Sequence, residues 1–190
     1  MGDSKTILAA HEKDVIAKNK ILKQADYYFN EAKKLAPKHQ EILIGKTRME
    51  IVGGNYAGAK NYASECVTLN PNLGDCHWYL ALSKIYSKDV SGGKKDIQTA
   101  SSKGYDTISK TSLGELSDAY GYIQNYQDLI PIYERFITLS PDNAQYHSSL
   151  AFFYKQTGEY NKARKEALLV LKLSPESKQN VEEFLNSLPR

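Results

Sequence analysis

Apolar residues recur at three- and four-residue steps over most of this chain, with short polar breaks between the runs, the pattern of consecutive amphipathic helices. Ile21, Leu22, Ala25, Tyr28, Phe29, Ala32 and Leu35 form one such face, and Pro37 ends it by disfavouring helical geometry just before itself. The most regular stretch, residues 144–175, reads as two short helices joined at Gly158, Glu159 and Tyr160 and closed by Pro175. The punctuation recurs upstream. Pro37 to Pro71 and Pro141 to Pro175 are both 34 residues, and Pro71 to Pro141 is 70. Tyr126 to Tyr160 is again 34 and Tyr56 to Tyr126 again 70. Two independent landmarks share one period and one two-residue interruption.

A helix–turn–helix period of this length resembles the tetratricopeptide (TPR) repeat. The likeness is residue-specific in several units. In residues 144–177, Leu150, Ala151, Tyr154, Gly158, Tyr160, Ala163, Ala167, Leu171 and Pro175 fall where the family pattern places them. In residues 40–73, Thr47, Gly54, Tyr56, Ala59, Ala63, Cys66 and Pro71 do the same. The resemblance implies an all-α fold, a right-handed superhelical solenoid of about five repeats and a capping helix, in a single domain over residues 1–190. The repeats are predicted at 6–39, 40–73, 74–109, 110–143 and 144–177, with the cap at 178–188. Residues 6–39 fit least well, since their first helix (Ile7, Leu8, Val15, Ile16) lacks the small-residue pattern. Residues 74–109 carry Lys84 in place of an aromatic and Ser87, Lys88 and Asp89 in place of a glycine turn. The two extra residues are expected in the connection 104–110. The cap turns Val181, Phe184, Leu185 and Leu188 inward and Lys178, Glu182, Glu183 and Asn186 outward, and an array of this kind needs such an end.

Charge and special residues narrow the picture by exclusion. Net charge is +3, with lysines dispersed among 22 acids, so the short basic clusters read as solvated faces and no nucleic-acid partner is expected. No apolar run reaches the length of a membrane span, and the first twenty residues lack a signal-like core, so no direct membrane insertion is expected. The default compartment is then the cytoplasm, unless Met1 and Gly2 mark a soluble domain excised from a longer membrane protein. Cys66 and Cys76 lie on different predicted helices and read as packed free thiols, with a disulfide or metal role left open.

No catalytic constellation emerges. His11, His39, His77 and His147 are scattered, and His77 and His147 each stand three residues before a Leu-Ala pair, a packing position in the family. No phosphate-cradling loop or metal-ligand spacing is present, so the chain reads as a non-enzyme without cofactors. The TPR resemblance implies a concave groove lined by the first helix of each unit, taking a protein or peptide partner. Projected onto this chain, the groove candidates are Ile44, Arg48 and Ile51; Trp78, Leu82, Ile85 and Tyr86; Asp118 and Tyr122; Phe152 and Lys155. Trp78 is placed equally well as a groove anchor or as a filler of the seam. Tyr56, Tyr126, Tyr154 and Tyr160 read as packing aromatics. Ala10 and Asp14 stand where the family's chaperone-tail clamp uses Lys and Asn, so that ligand is not expected. The stretch 69–82 (LNPNLGDCHWYLAL) also resembles the TPR tails of bacterial O-antigen ligase- and polymerase-like proteins. That likeness implies a soluble segment serving surface-polysaccharide assembly. A self-associating structural module is the remaining alternative.

Overall fold

The computed structural model describes residues 1–189. Their regular structure is entirely helical, with eleven α-helices and one 3-10 turn. In order these are α1 (Gly2–His11), α2 (Val15–Leu35), α3 (Gln40–Gly53), α4 (Tyr56–Leu69), α5 (Gly74–Tyr86) and α6 (Val90–Ser102). They are followed by α7 (Lys110–Tyr122), α8 (Tyr126–Leu139), α9 (Ala144–Gln156), α10 (Tyr160–Leu173), the 3-10 turn (Pro175–Ser177) and α11 (Lys178–Asn186). The chain divides into two compact units, Met1–Ser109 and the part from Lys110 on.

Consecutive helices pair through very short turns, and the turns share one chemistry. The residue that ends the first helix of a pair adopts a left-handed backbone: Gly54 (φ 78°), Lys88 (φ 67°), Gln124 (φ 57°) and Gly158 (φ 80°). Glycine occupies that conformation without strain, so a lysine and a glutamine there mark the two less regular pairs. The next residue caps the second helix. Asn55, Asp89 and Asn125 each accept from a backbone N–H three residues on, at 3.1, 2.9 and 3.3 Å. Lys88 follows Gly54, and Gly158 follows Gln124, at the same interval, and only the step from Lys88 to Gln124 is longer. The excess lies in the connection after α6, which runs from residue 103 to 109 and carries Gly104 at φ 86°.

In the first unit, α1 packs on α3 and α3 on α5, while α2, α4 and α6 back them. Ala25, Phe29 and Met49 form one core cluster, with Leu22 and Ile42 against it. Phe29 lies so close to the backbone of α1 and α3 that only glycine fits at positions 2 and 45. Lys46 is buried in this seam. Its ammonium meets Asn30 Oδ1 at 2.5 Å and Asp26 at 3.2 Å and sits 4.8 Å from the centre of the Tyr62 ring. The first pair departs from the sequence reading: α1 starts at Gly2, ahead of Thr6, and Val15 and Ile16 belong to α2.

The cysteines also depart from that reading. Cys66 and Cys76 are joined in a disulfide, with a Cα–Cα distance of 5.4 Å, and are not free thiols. The turn at Asn70 and Pro71 reverses the chain, so the end of α4 and the start of α5 face each other although they are separate helices. Both residues are fully buried beside Leu43, with Ile44, Tyr62, Val67, Leu69 and Leu73 around them.

In the second unit, α8 and α9 are joined by an aromatic cluster. Tyr133 packs edge-on against Phe136, Phe153 and Tyr146, and Phe136 stacks on Tyr146. His147 links the last two helix pairs: its Nδ1 lies 2.6 Å from Glu166 Oε2 and its Nε2 2.8 Å from the Pro141 carbonyl oxygen. The helix α11 closes α10 through Val181, which joins Ala151, Ala167 and Val170 in one buried cluster.

Candidate functional site

The first helices of the pairs carry the residues that the repeat pattern assigns to recognition. In the first unit, packing has absorbed most of them. Trp78, Leu82 and Ile85 are buried, which corrects their placement on an open groove. The cause is local. Gly93 lets α6 come so close to α5 that Ile85 packs directly on its backbone. Tyr105, supplied by the long connection after α6, stacks on Trp78 with ring centres 4.8 Å apart. Tyr86 is half-buried and stacks on Tyr56 at 4.8 Å. Ile44 leans on the disulfide cluster, Arg48 pairs with Asp3 at 3.5 Å, and Ile51 is half-buried on α3.

In the second unit the candidates reach the surface. Asp118 and Tyr122 are exposed on α7. Desolvation by the surrounding protein raises the Asp118 carboxyl above its ordinary range. Gly114 and Gly121 flank Asp118 along the helix, and a side chain added at either would meet nothing within 4 Å. On α9, Phe152 is 41% exposed yet fixed in place, edge-on to Tyr126 and to Phe153. Lys155 is engaged: its ammonium donates to Ser187 Oγ at 2.7 Å and lies over the Phe184 ring. It therefore ties α9 to the end of α11.

The second unit also holds a feature the sequence reading missed. A notch of ≈ 320 Å³ opens between α9, α10 and α11. Its floor is apolar, made by Ala151, Ala167, Val170, Val181 and Phe184. Its rim is polar and uncharged, with Gln145, Ser148, Ser174, Ser177 and Asn180. An apolar floor with a few convergent amide and hydroxyl groups is the usual make-up of a ligand pocket, and this volume lies at the small end of that range. The signal was present as the small residues Ala144, Ser148 and Ala151 along one face of α9. It went unread because small residues at that face also serve close helix packing.

No group of three or more His, Cys, Asp and Glu side chains that could hold a metal ion occurs among the described residues. No helix there is long and apolar enough to cross a membrane.

Comparison with known proteins points one way. The tetratricopeptide repeat profile matches residues 144–177. No curated protein sequence matches the chain significantly. Among solved structures, MamA residues 41-end from Desulfovibrio magneticus RS-1 superposes with a TM-score of 0.63 at 16% identity, over 90% of this chain and 96% of that one. YrrB, described as a TPR protein with an unusual peptide-binding site, gives 0.57 at 10% identity, over 83% and 79%. A thermophilic TPR protein of Thermus thermophilus gives 0.54 at 14% identity, over 98% and 100%. The all-helical order of elements, the recurring left-handed turn and these likenesses agree: the chain has the tetratricopeptide-repeat fold, and residues 144–177 are one such repeat.

Proposed function

We propose that the chain is a non-catalytic interaction scaffold that holds an extended peptide or a partner helix along α9 and α11 of its second unit. The observation that carries this reading is that α9 bears both an exposed aromatic, Phe152, and one wall of the notch, through Gln145, Ser148 and Ala151. Phe152 is held edge-on by its neighbours and needs little ordering on binding, and aromatic anchors of this kind dominate interface energetics. The notch takes one apolar side chain of the partner on its floor, while the Gln145 and Asn180 amides meet the partner's main chain at the rim. The peptide-binding site named for YrrB is in keeping with such a use of the fold. The test is selection of binders from a displayed library of random peptides on the purified chain, followed by affinity measurement. Phe152→Ala weakens the selected peptides by about tenfold or more and Ser148→Trp, which fills the notch, abolishes binding, while both chains keep the helical signal and a cooperative melt. Selected peptides that bind both variants as they bind the parent would refute the proposal.

A second reading is favoured by the buried Cys66–Cys76 bond. Such bonds form and persist in oxidising compartments and are rare in the cytosol. This suits a soluble segment of a bacterial surface-polysaccharide assembly protein, held outside the cytoplasm, better than a cytoplasmic scaffold. Acid quenching of native cells followed by alkylation under denaturing conditions separates the two: two blocked thiols place the chain in a reducing compartment and remove this reading.

A further inference from the structure

The helix α2 has 21 residues where α4, α8 and α10 each have 14. When Pro37 is set against Pro71, the start of α4 falls opposite Leu22, so the excess of α2 is its first two turns, about 10 Å of helix. The helix α1 runs beside α2 from Gly2, which lies against Phe29, and ends at His11, so only residues 12–14 lead to the projecting turns. The projecting turns are aliphatic and uncovered at their start: Val15 is 68% exposed and Ile16 82%. Lys13 precedes these turns and Lys18 and Lys20 stand on them, none of the three ion-paired among the described residues. The two nearby acids are turned to the backbone instead. Glu12 accepts from the Asp14 N–H at 2.9 Å, and Asp14 accepts from the Ala17 N–H at 2.7 Å, capping the helix.

We propose that this tip is a membrane-surface contact, which sets Val15 and Ile16 into the headgroup–acyl boundary while its lysines meet anionic lipid headgroups. An aliphatic point with a cationic collar is complementary to an anionic bilayer on both counts. A second copy of the chain fits the tip poorly, since a twofold pairing across Val15 and Ile16 sets one lysine collar against another. The outside of α11 differs, since its polar groups are engaged with one another: Lys178 faces Glu182, and Gln179 donates to Glu183. This inference is independent of the peptide site on α9 and α11.

The experiment is flotation of the purified chain with vesicles of phosphatidylcholine alone or mixed with phosphatidylglycerol. Light scattering is run on the same samples without lipid. The chain is expected to float with the mixed vesicles and not with phosphatidylcholine alone, and to be released by about 0.5 M salt. Val15→Ser with Ile16→Ser lowers the partition by about tenfold or more, and Lys13→Gln with Lys18→Gln and Lys20→Gln does likewise. Four of these positions are exposed and Lys18 is half-buried without an ion-pair partner, so the helical signal and melting of both variants match the parent. Failure of the parent chain to float with anionic vesicles overturns the proposal, as does unaltered flotation of the Val15/Ile16 variant. A concentration-dependent dimer that the same variant abolishes overturns it too, and assigns the tip to self-association.

Discussion

Reduction of the Cys66–Cys76 bond is the most direct perturbation of the first unit, because it changes no side chain except by adding two hydrogens. The bond closes a loop with a sequence separation of 10. Cross-linking a loop of that length removes about 2.7 kcal/mol of chain entropy from the unfolded state. The thiols released on reduction stay in an apolar cluster with Leu43, Tyr62 and Leu73, where a buried thiol packs as a small hydrophobe, so little contact energy is lost with the cross-link. For a unit of this size, about 1 kcal/mol corresponds to roughly 4 °C in melting temperature, which places the expected drop near 10 °C. Thermal melts followed by circular dichroism, with and without a phosphine reductant, measure it. Hydrogen exchange locates it, with amides of α4 and α5 losing protection first. A drop below about 3 °C in protein shown by mass to be fully reduced would refute the reasoning, since the unfolded chain would then gain no freedom from the loss of the link.

Four further outcomes follow from the packing. Gly45→Ala sets a Cβ 2.4 Å from Phe29 Cε1, so it destabilises by about 1–3 kcal/mol in denaturant titration, and Phe29→Leu in the same chain recovers part of the loss. Gly121→Ala on α7 meets nothing within 4 Å and raises stability by roughly 0.5–1 kcal/mol in the same assay. His147→Ala removes the partner of the half-buried Glu166 carboxylate and of the Pro141 carbonyl and costs about 1–3 kcal/mol; Glu166→Gln, which keeps a hydrogen-bonding group there, costs less. The fourth concerns alkali. Burial raises the Tyr120 phenol above its ordinary value, with the Asp128 charge adding to it. Burial and the bond to Glu134 do the same for Tyr154. The fold thus holds both protons more tightly than the unfolded chain, so their contribution is whole below about pH 10 and is lost as pH rises beyond it. The denaturant midpoint of the parent chain should fall faster above that pH than that of Tyr120→Phe with Tyr154→Phe.

The fold was legible wherever one position carries one physical demand. Gly54 and Gly158 are needed for a left-handed turn, Pro37, Pro71, Pro141 and Pro175 mark the breaks between helix pairs, and the alternation of helix faces is read directly from the apolar positions. The same left-handed turn survives at Lys88 and Gln124, where sequence offers no glycine to announce it, because the neighbouring helices hold the backbone there. The site was less legible because one position serves two purposes. Trp78, Leu82 and Ile85 occupy places that the repeat leaves open in general, yet here Gly93 and Tyr105 cover them. Whether a groove position is open depends on what the following connection brings back over it, and periodicity carries no information about that. The cysteines were misread for a related reason. A separation of ten residues means little along a helix but closes a gap of 5.4 Å across a turn.

The departures from the period are thus where the surfaces of interest lie. Regular positions are engaged by neighbours on both sides, since a helix pair in a stack must meet the pair before it and the pair after it. A surplus turn or a short helix frees a face. Two surplus turns of α2 carry Val15 and Ile16 away from the packed body, and the short α11 leaves part of α9 and α10 uncovered as the notch floored by Ala151 and Val181. The surplus after α6 acts in the opposite sense: it returns Tyr105 onto Trp78 and closes what the repeat would have left open. Tyr105→Ala makes the contrast measurable. It should uncover the only tryptophan, shift its fluorescence to longer wavelength and increase its quenching by acrylamide, while the peptide binding proposed for α9 stays as in the parent. An unchanged emission spectrum would mean that Trp78 is buried by other means, and that the long connection is incidental to closing this face.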